Sequence, residues 1–96
     1  MKLFLIIYDA DFDEDVMDAL SRSGVTGYTK WDRVLGKGEK TEPKLDNSIW
    51  PGFNGALLTA VEKDKEMELL DNLRDLHERM KGRGVKVFSW PLEDVI

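Results

Sequence analysis

The chain has 96 residues, which is enough for one small hydrophobic core and too few for two. The 19 acidic and 14 basic side chains give a formal net charge of −5, which excludes a nucleic-acid binder that relies on a basic surface. The absence of cysteine excludes disulfides and thiolate metal sites, and a single histidine excludes a His–His metal pair within one chain. With 42% hydrophobic and 34% charged residues, the composition predicts a globular protein.

The first predicted element is a strand over Lys2 to Tyr8, where every residue after the lysine is apolar. This run is too short for a membrane helix, and acidic residues follow it where a signal peptide would carry small ones. We therefore expect a cytoplasmic protein that does not insert into membranes. Asp11 or Asp13 is expected to cap the first helix, and Gly24 is expected to end it.

Two strands, a helix and a last strand follow the first helix. Thr26 to Leu35 alternates as a half-buried strand does, and the apolar stretch Gly55 to Glu62 predicts a fully buried strand. A stripe of leucines predicts the second helix over Lys65 to Lys81, and Val85 to Trp90 forms the last strand. Gly36 to Asn54 has no periodicity, so we expect one long loop without internal structure there.

The order β-α-β-β-α-β predicts a single α+β domain over residues 1–96, with a ferredoxin-like four-stranded antiparallel sheet and two helices on one face. The first and third strands are the most apolar and should lie in the middle. Both faces of the first strand are apolar, since Phe4 and Ile6 alternate with Leu5 and Ile7. So short a chain has nothing else to cover the second face, and we expect self-association.

Two short glycine turns, each of which holds a cation, are candidates for a ligand site. Gly36-Lys37-Gly38 opens the long loop, and Gly82-Arg83-Gly84 precedes the last strand. Glycines allow backbone N–H groups to approach an anion, and Lys37, Arg83 or Lys86 would supply positive charge. Solvated surface turns would have the same pattern, because Gly-x-Gly is common in turns.

Other polar residues are weaker candidates for a metal site or a catalytic site. The spacing of Asp9, Asp11 and Asp13 resembles a calcium loop, but the turn glycine and the bidentate glutamate are missing, so we expect a helix-capping loop instead. His77 is expected at the rim of the core, and three copies at a symmetry axis would be needed to make it a metal site. No base is placed to activate a serine, so we predict no catalytic residue and no enzymatic activity.

The long loop ends in the apolar cluster Ile49-Trp50-Pro51-Gly52-Phe53. Such a cluster either packs against the body of the protein or contacts a partner, and tryptophan is enriched where proteins bind each other. The candidate partner-binding residues of the loop are Lys40, Ile49, Trp50 and Phe53.

Taken together, these features resemble the PII signalling proteins along nearly the whole chain. The resemblance rests on the apolar strand after Lys2-Leu3, on Gly24-Val25-Thr26-Gly27-Tyr28-Thr29, on the Gly36-Lys37-Gly38 loop base and on the turn and strand from Gly82 to Phe88. It implies a homotrimer with inward-packed sheets and adenine nucleotides in clefts between subunits. It also implies a long loop that regulates an enzyme, a membrane transporter or transcription. The implied ligand-binding residues are Thr29, Gly36, Lys37, Gly38, Gly82, Arg83, Gly84 and Lys86.

The chain also departs from the pattern of the nucleotide-sensing members. Ala56 and Val85 stand where those members carry lysines, with Lys86 displaced by one residue, and Lys40 stands in place of a glutamine. The two arginines that follow the last strand in the family are not found up to Ile96. Because these cations hold phosphates in the family, we expect weak or absent ATP binding and an effector that the sequence does not identify.

Two alternative functions remain open at this point. The divalent-cation tolerance protein CutA shares the fold and the trimer, so a metal-responsive trimer that uses His77 or the acidic residues Asp9 to Asp15 is one alternative. The other is an interaction module that binds no small ligand and works through the loop and Trp50.

Overall fold

A computed structural model describes all residues from Met1 to Ile96. The strands are β1 Lys2–Asp9, β2 Thr29–Val34, β3 Asn54–Val61 and β4 Val85–Pro91. The helices are α1 Asp13–Arg22 and α2 Lys63–Arg79, and a 3₁₀ turn at Ala10–Phe12 precedes α1. Neither helix combines the length and the apolar character that crossing a membrane requires.

The four strands form one sheet in the order β2-β3-β1-β4, and all neighbours are antiparallel. The two most apolar strands, β1 and β3, therefore lie in the middle, as predicted. Each edge strand has a neighbour on one side only, which suits the more polar composition of β2. The element order and the sheet order together confirm the ferredoxin-like α+β fold.

One face of the sheet carries both helices and the core. Phe4, Ile6 and Tyr8 alternate along β1 and are buried on this face. The helices bury their apolar stripes against them, and full burial of one such side chain is worth about 1.5–3 kcal/mol. The helix residues in this core are Val16, Ala19, Leu20, Leu69, Leu73 and Leu76.

The other face, which we call the open face, has no cover within the chain. Leu3, Leu5 and Ile7 of β1 point to it and are only half-buried. On β4, Leu5 and Leu3 pair with Phe88 and Trp90, which are 43% and 42% exposed. On β2, Trp31 pairs with the β3 residue that faces Ile7 and is 47% exposed. An apolar sheet face of this kind is typical of an association surface.

Several boundaries differ from the predictions. Neither Asp11 nor Asp13 caps α1: Asp9 accepts a hydrogen bond from the Asp11 backbone N–H at 3.0 Å and caps the 3₁₀ turn, while Asp13 is the first residue of α1. β2 begins at Thr29 rather than Thr26, because Gly27 uses its carbonyl to accept a bond from Thr59 Oγ1 at 2.6 Å. Helix α2 begins and ends two residues earlier than predicted.

Candidate functional site

The connection between β2 and β3 is folded, which corrects the expectation of a loop without internal structure. Gly36 and Lys44 exchange two backbone hydrogen bonds, of 3.0 and 2.7 Å. A second turn follows, in which Asn47 Oδ1 accepts bonds from the N–H groups of Ile49 and Trp50 at 3.1 and 2.7 Å. These bonds satisfy backbone groups that would otherwise need water, so the loop has two defined turns.

The second turn is tied to β2 by Arg33. The Arg33 guanidinium lies 3.1 Å from Asp46 Oδ2 and sits 4.8 Å from the centroid of the Phe53 ring. A guanidinium over an aromatic face is attracted by the ring quadrupole. Phe53, which was a partner-binding candidate, is thus half-buried and anchors the loop.

Asp9, the last residue of β1, joins the loop to the second glycine turn. Its Oδ2 accepts a hydrogen bond from Lys44 Nζ at 2.5 Å, and its backbone N–H donates to the Gly84 carbonyl at 2.8 Å. Partial burial works to raise the pKa of the Asp9 carboxyl, but the hydrogen bonds from Lys44 and from the Asp11 N–H, together with the charge of Lys44, outweigh it and hold that pKa below its usual value. Because the Lys44 backbone also pairs with Gly36, the two glycine turns meet at the Asp9–Lys44 pair.

Glycine is required in the second turn for reasons of packing and backbone conformation. Gly82 and Gly84 have φ angles of +71° and +74°, in the left-handed region. A Cβ on Gly84 would also lie 2.5 Å from Cε2 of Phe12 and 3.5 Å from Cβ of Asp9. The turn therefore holds the exposed Arg83 between two positions that favour glycine.

The cation of the first turn is used differently. Lys37 Nζ donates to the Gly38 carbonyl at 3.0 Å, and the Gly38 N–H donates to Thr41 Oγ1 at 3.0 Å. Lys37 and Gly38 are both exposed at the surface. The first turn thus closes on itself, with its lysine beside its own backbone.

Lys86 lies on the open face, because it pairs with Ile7 across the sheet. Val85 pairs with Tyr8 and is buried under the helices, as strand alternation predicts. The side chain of Lys86, and not that of Val85, therefore shares a face with the alanine at position 56, which also pairs with Ile7.

Thr29 is the one candidate ligand residue that lies far from the glycine turns. Thr29 pairs with Leu58 of β3. Leu58 lies four positions along β3 from Asn54, which is the residue that pairs with Asp9. Four residues of strand span about 13 Å, and Thr29 also lies on the opposite edge strand from Lys86. A single chain therefore brings the two turns together and leaves Thr29 outside the group.

A polar network that the sequence analysis missed joins the start of α1 to β2. Tyr8 donates its hydroxyl to Asp13 Oδ1 at 2.7 Å, and Lys30 Nζ donates to the same oxygen at 3.1 Å. Burial and the bond to Asp13 raise the pKa of Tyr8 well above its usual value. For Asp13 the bonds from Tyr8 and Lys30 outweigh partial burial and lower the pKa. Gly55 makes room for the phenol ring, since a Cβ there would lie 2.7 Å from Tyr8 Cζ.

The pairing of Asp9 with Lys44 was not predicted from the sequence either. The local signal for Asp9 is an acidic side chain directly after a buried strand, which was interpreted as part of a capping loop. No local pattern marks Lys44, because its partner lies 35 positions away.

His77 is exposed on α2 and lines a groove between α2 and β4. The floor of this groove includes Leu73 and Val85. Within the chain, no group of three or more His, Asp and Glu side chains is placed to hold a metal ion. A metal at His77 would therefore need ligands from other copies.

Comparison with known proteins gives the family. Residues 1–96 match the model of the family "Nitrogen regulatory protein P-II". The nitrogen fixation nifHD region GlnB-like protein 1 of Methanobacterium ivanovii is 28% identical over 95 residues, which cover 98% of this chain and 90% of that protein.

Solved structures share the fold. CPII, a nitrogen regulatory PII-like protein from Thiomonas intermedia K12 bound to ADP, AMP and bicarbonate, matches with a TM-score of 0.74 and 24% identity, over 93% of this chain and 82% of that one. A PII-like signalling protein from Thermus thermophilus matches with a TM-score of 0.63 and 21% identity, over 93% and 81% of the two chains. The fold and the match over the whole sequence agree, and the chain belongs to the nitrogen regulatory protein P-II family of signalling proteins.

Proposed function

We propose that the protein is a trimeric regulator that binds a small anionic effector between subunits and signals to a partner protein through the loop of residues 35–53. The observation that carries this proposal is the meeting of the two glycine turns at the Asp9–Lys44 pair. Within the chain the N–H groups of Gly36, Gly38 and Gly82 already donate to other acceptors, so an anion would be held there by the side-chain cations. The two turns lie at the edge of an uncovered apolar face.

The open face supports the trimer. Leu5, Leu58 and Phe88 form one row across three strands, and none of them is fully buried. Burial of this face would gain about 25 cal/mol per Å² of apolar surface, before the entropy of association is subtracted. Three copies that pack these faces around one axis would cover all of them with one type of contact.

Thr29 enters the proposed site from a neighbouring subunit. In one copy it lies about 13 Å along the sheet from the glycine turns, so in this proposal it contacts the ligand at the turns of the next copy. In this proposal the turns contribute Gly36, Lys37, Gly38, Gly82, Arg83 and Gly84, β4 contributes Lys86, and the neighbouring copy contributes Thr29.

Bicarbonate, AMP and ADP are the first effectors to test, since the similar CPII structure is described as bound to them. ATP is expected to bind weakly or not at all. Ala56 and Val85 are both buried apolar residues, and neither can contact a phosphate with a charge.

Exposed apolar side chains on the loop support a protein partner. Ile49 is 76% exposed, and Leu45 and Trp50 of the same loop are 38% and 37% exposed. Lys40 is exposed on the first turn. An enzyme or a membrane transporter that receives these side chains would be the regulated protein.

Thermal unfolding with each ligand tests the proposed effector site. A ligand at about 100 times its Kd adds about 2.7 kcal/mol of stability, which should raise the melting temperature by about 10–20 °C in a domain of this size. Lys86→Gln should reduce the shift, whereas the matched variant Lys63→Gln, at the start of α2, should not. No shift with bicarbonate, AMP or ADP, or equal shifts in both variants, would contradict the site.

A further inference from the structure

We propose that Lys44 is an additional cation of the effector site, which Asp9 holds until an oxyanion binds between the two glycine turns and replaces the Asp9 carboxylate. The ammonium group would then leave Asp9, and the loop would lose its side-chain bond to β1. This inference rests on the proposed function and adds to it a ligand residue and a route from ligand to loop.

Lys44 is placed where the two turns meet. Its backbone pairs with Gly36 of the first turn in both directions, and its ammonium group bonds to Asp9. Asp9 in turn holds the carbonyl of Gly84 with its backbone N–H. Among the loop residues, Lys44 thus links both turns through main-chain and side-chain bonds.

The pair is accessible enough to exchange partners. The side chains of Lys44 and Asp9 are 32% and 22% exposed, so a small anion reaches the ammonium group from solvent. A carboxylate, a bicarbonate and a phosphate offer the same kind of acceptor oxygen to an ammonium donor. Partial burial keeps the charges from being screened by salt, so the exchange depends on a bound anion more than on ionic strength.

Loss of this bond would reach the surface of the loop. With Lys44 released, the segment from Lys37 to Phe53 would be held by Arg33, which contacts Asp46 and Phe53, and by the hydrogen bond from the Ala10 N–H to the Phe53 carbonyl. The first turn would be free to separate from β1, while the second turn keeps its own hydrogen bonds. Ligand binding would therefore change how the loop presents Ile49 to a partner.

Two variants separate the proposed exchange from a purely structural ion pair. Asp9→Asn keeps an oxygen for the Asp11 N–H but removes the charge that competes for Lys44, so it should tighten oxyanion binding about tenfold. Lys44→Gln removes the cation and should weaken binding by at least about tenfold. Lys63→Gln makes the same charge change at an exposed site at the start of α2, away from both turns, and should leave the affinity unchanged.

The measurement is calorimetry with bicarbonate, inorganic phosphate and ADP as separate probes, paired with hydrogen exchange of the loop amides. Without ligand, exchange at the Lys44 amide should be faster in both Asp9→Asn and Lys44→Gln than in the wild type. The ligand itself should speed this exchange in the wild type. Which probe does so distinguishes a bicarbonate effector from a phosphate group.

The outcomes separate the two proposals. If the wild type binds a probe but Asp9→Asn and Lys44→Gln both weaken binding, or neither changes it, then the oxyanion does not replace Asp9 at Lys44, and the effector site stands. If the wild type binds a probe but the hydrogen exchange of its loop amides does not change, the route from ligand to loop is wrong. If neither the wild type nor Asp9→Asn binds any probe, the effector site and the replacement of Asp9 at Lys44 are both wrong.

Discussion

Replacement of Gly84 by alanine should destabilise the fold by about 2–5 kcal/mol, because two costs add. The φ angle of +74° lies in the left-handed region, which costs an alanine about 1–2 kcal/mol. The new Cβ would lie 2.5 Å from Cε2 of Phe12, and overpacking of this kind costs about 1–3 kcal/mol. The total is a large part of a net stability on the order of 5–15 kcal/mol.

Two matched glycine variants separate these costs in urea denaturation at one protein concentration. Gly82 has a φ of +71° but its nearest neighbour, His77 Cε1, is 3.5 Å from the added Cβ, so Gly82→Ala should lose only about 1–2 kcal/mol. Gly27 has open space around it, and Gly27→Ala should change stability little or raise it by about 0.4–1 kcal/mol. Equal losses at Gly84 and Gly82 would refute the contact with Phe12, and a comparable loss at Gly27 would refute the whole comparison.

Three further predictions concern charge and assembly. Calorimetry should detect no tight ATP binding, since each missing charge-assisted phosphate contact costs about 1.5–3 kcal/mol; a low-micromolar Kd would mean that Lys37, Arg83 or Lys86 replaces the missing cations. The folded-state pKa values of Asp9 and Asp13 lie below the unfolded value of about 3.9, so both carboxylates stabilise the fold above that pH and lose this contribution as pH falls through the folded values. Asp13→Asn should therefore lower stability at pH 7 and make its fall below pH 4 shallower in acid titration of unfolding, and an unchanged slope would count against this reasoning. Phe88→Asp on the open face should dissociate the proposed trimer in light scattering, whereas Met67→Asp, at a side chain 65% exposed on α2, should not. Dissociation by both variants or by neither would place the interface elsewhere.

The order of elements could be predicted because their signals are local. The leucines of α2 recur at helical spacing, and β1 is apolar on both faces, which also indicated its central place in the sheet. The ends of elements were less predictable. The start of β2 depends on a bond from Thr59 to Gly27, and the start of α1 is held by Lys30 as well as by Tyr8, so both ends involve a residue from another part of the chain.

The candidate site was predictable in part for the same reason. Glycine turns can be recognised in a sequence, because glycine next to a cation has a local conformational meaning. The pairing of Asp9 with Lys44 depends on how the chain returns after 35 residues, and no periodicity encodes that return. The structure also adds a reason for Gly84 that needs no ligand, namely its close contact with Phe12.

Native mass spectrometry, with and without ADP and bicarbonate, tests the central claim most directly, because it reports assembly and ligand number together. The account predicts a complex of three chains that takes up to three effector molecules, one for each cleft between subunits. A monomer in dilute solution, or a trimer that binds neither ligand, would contradict it.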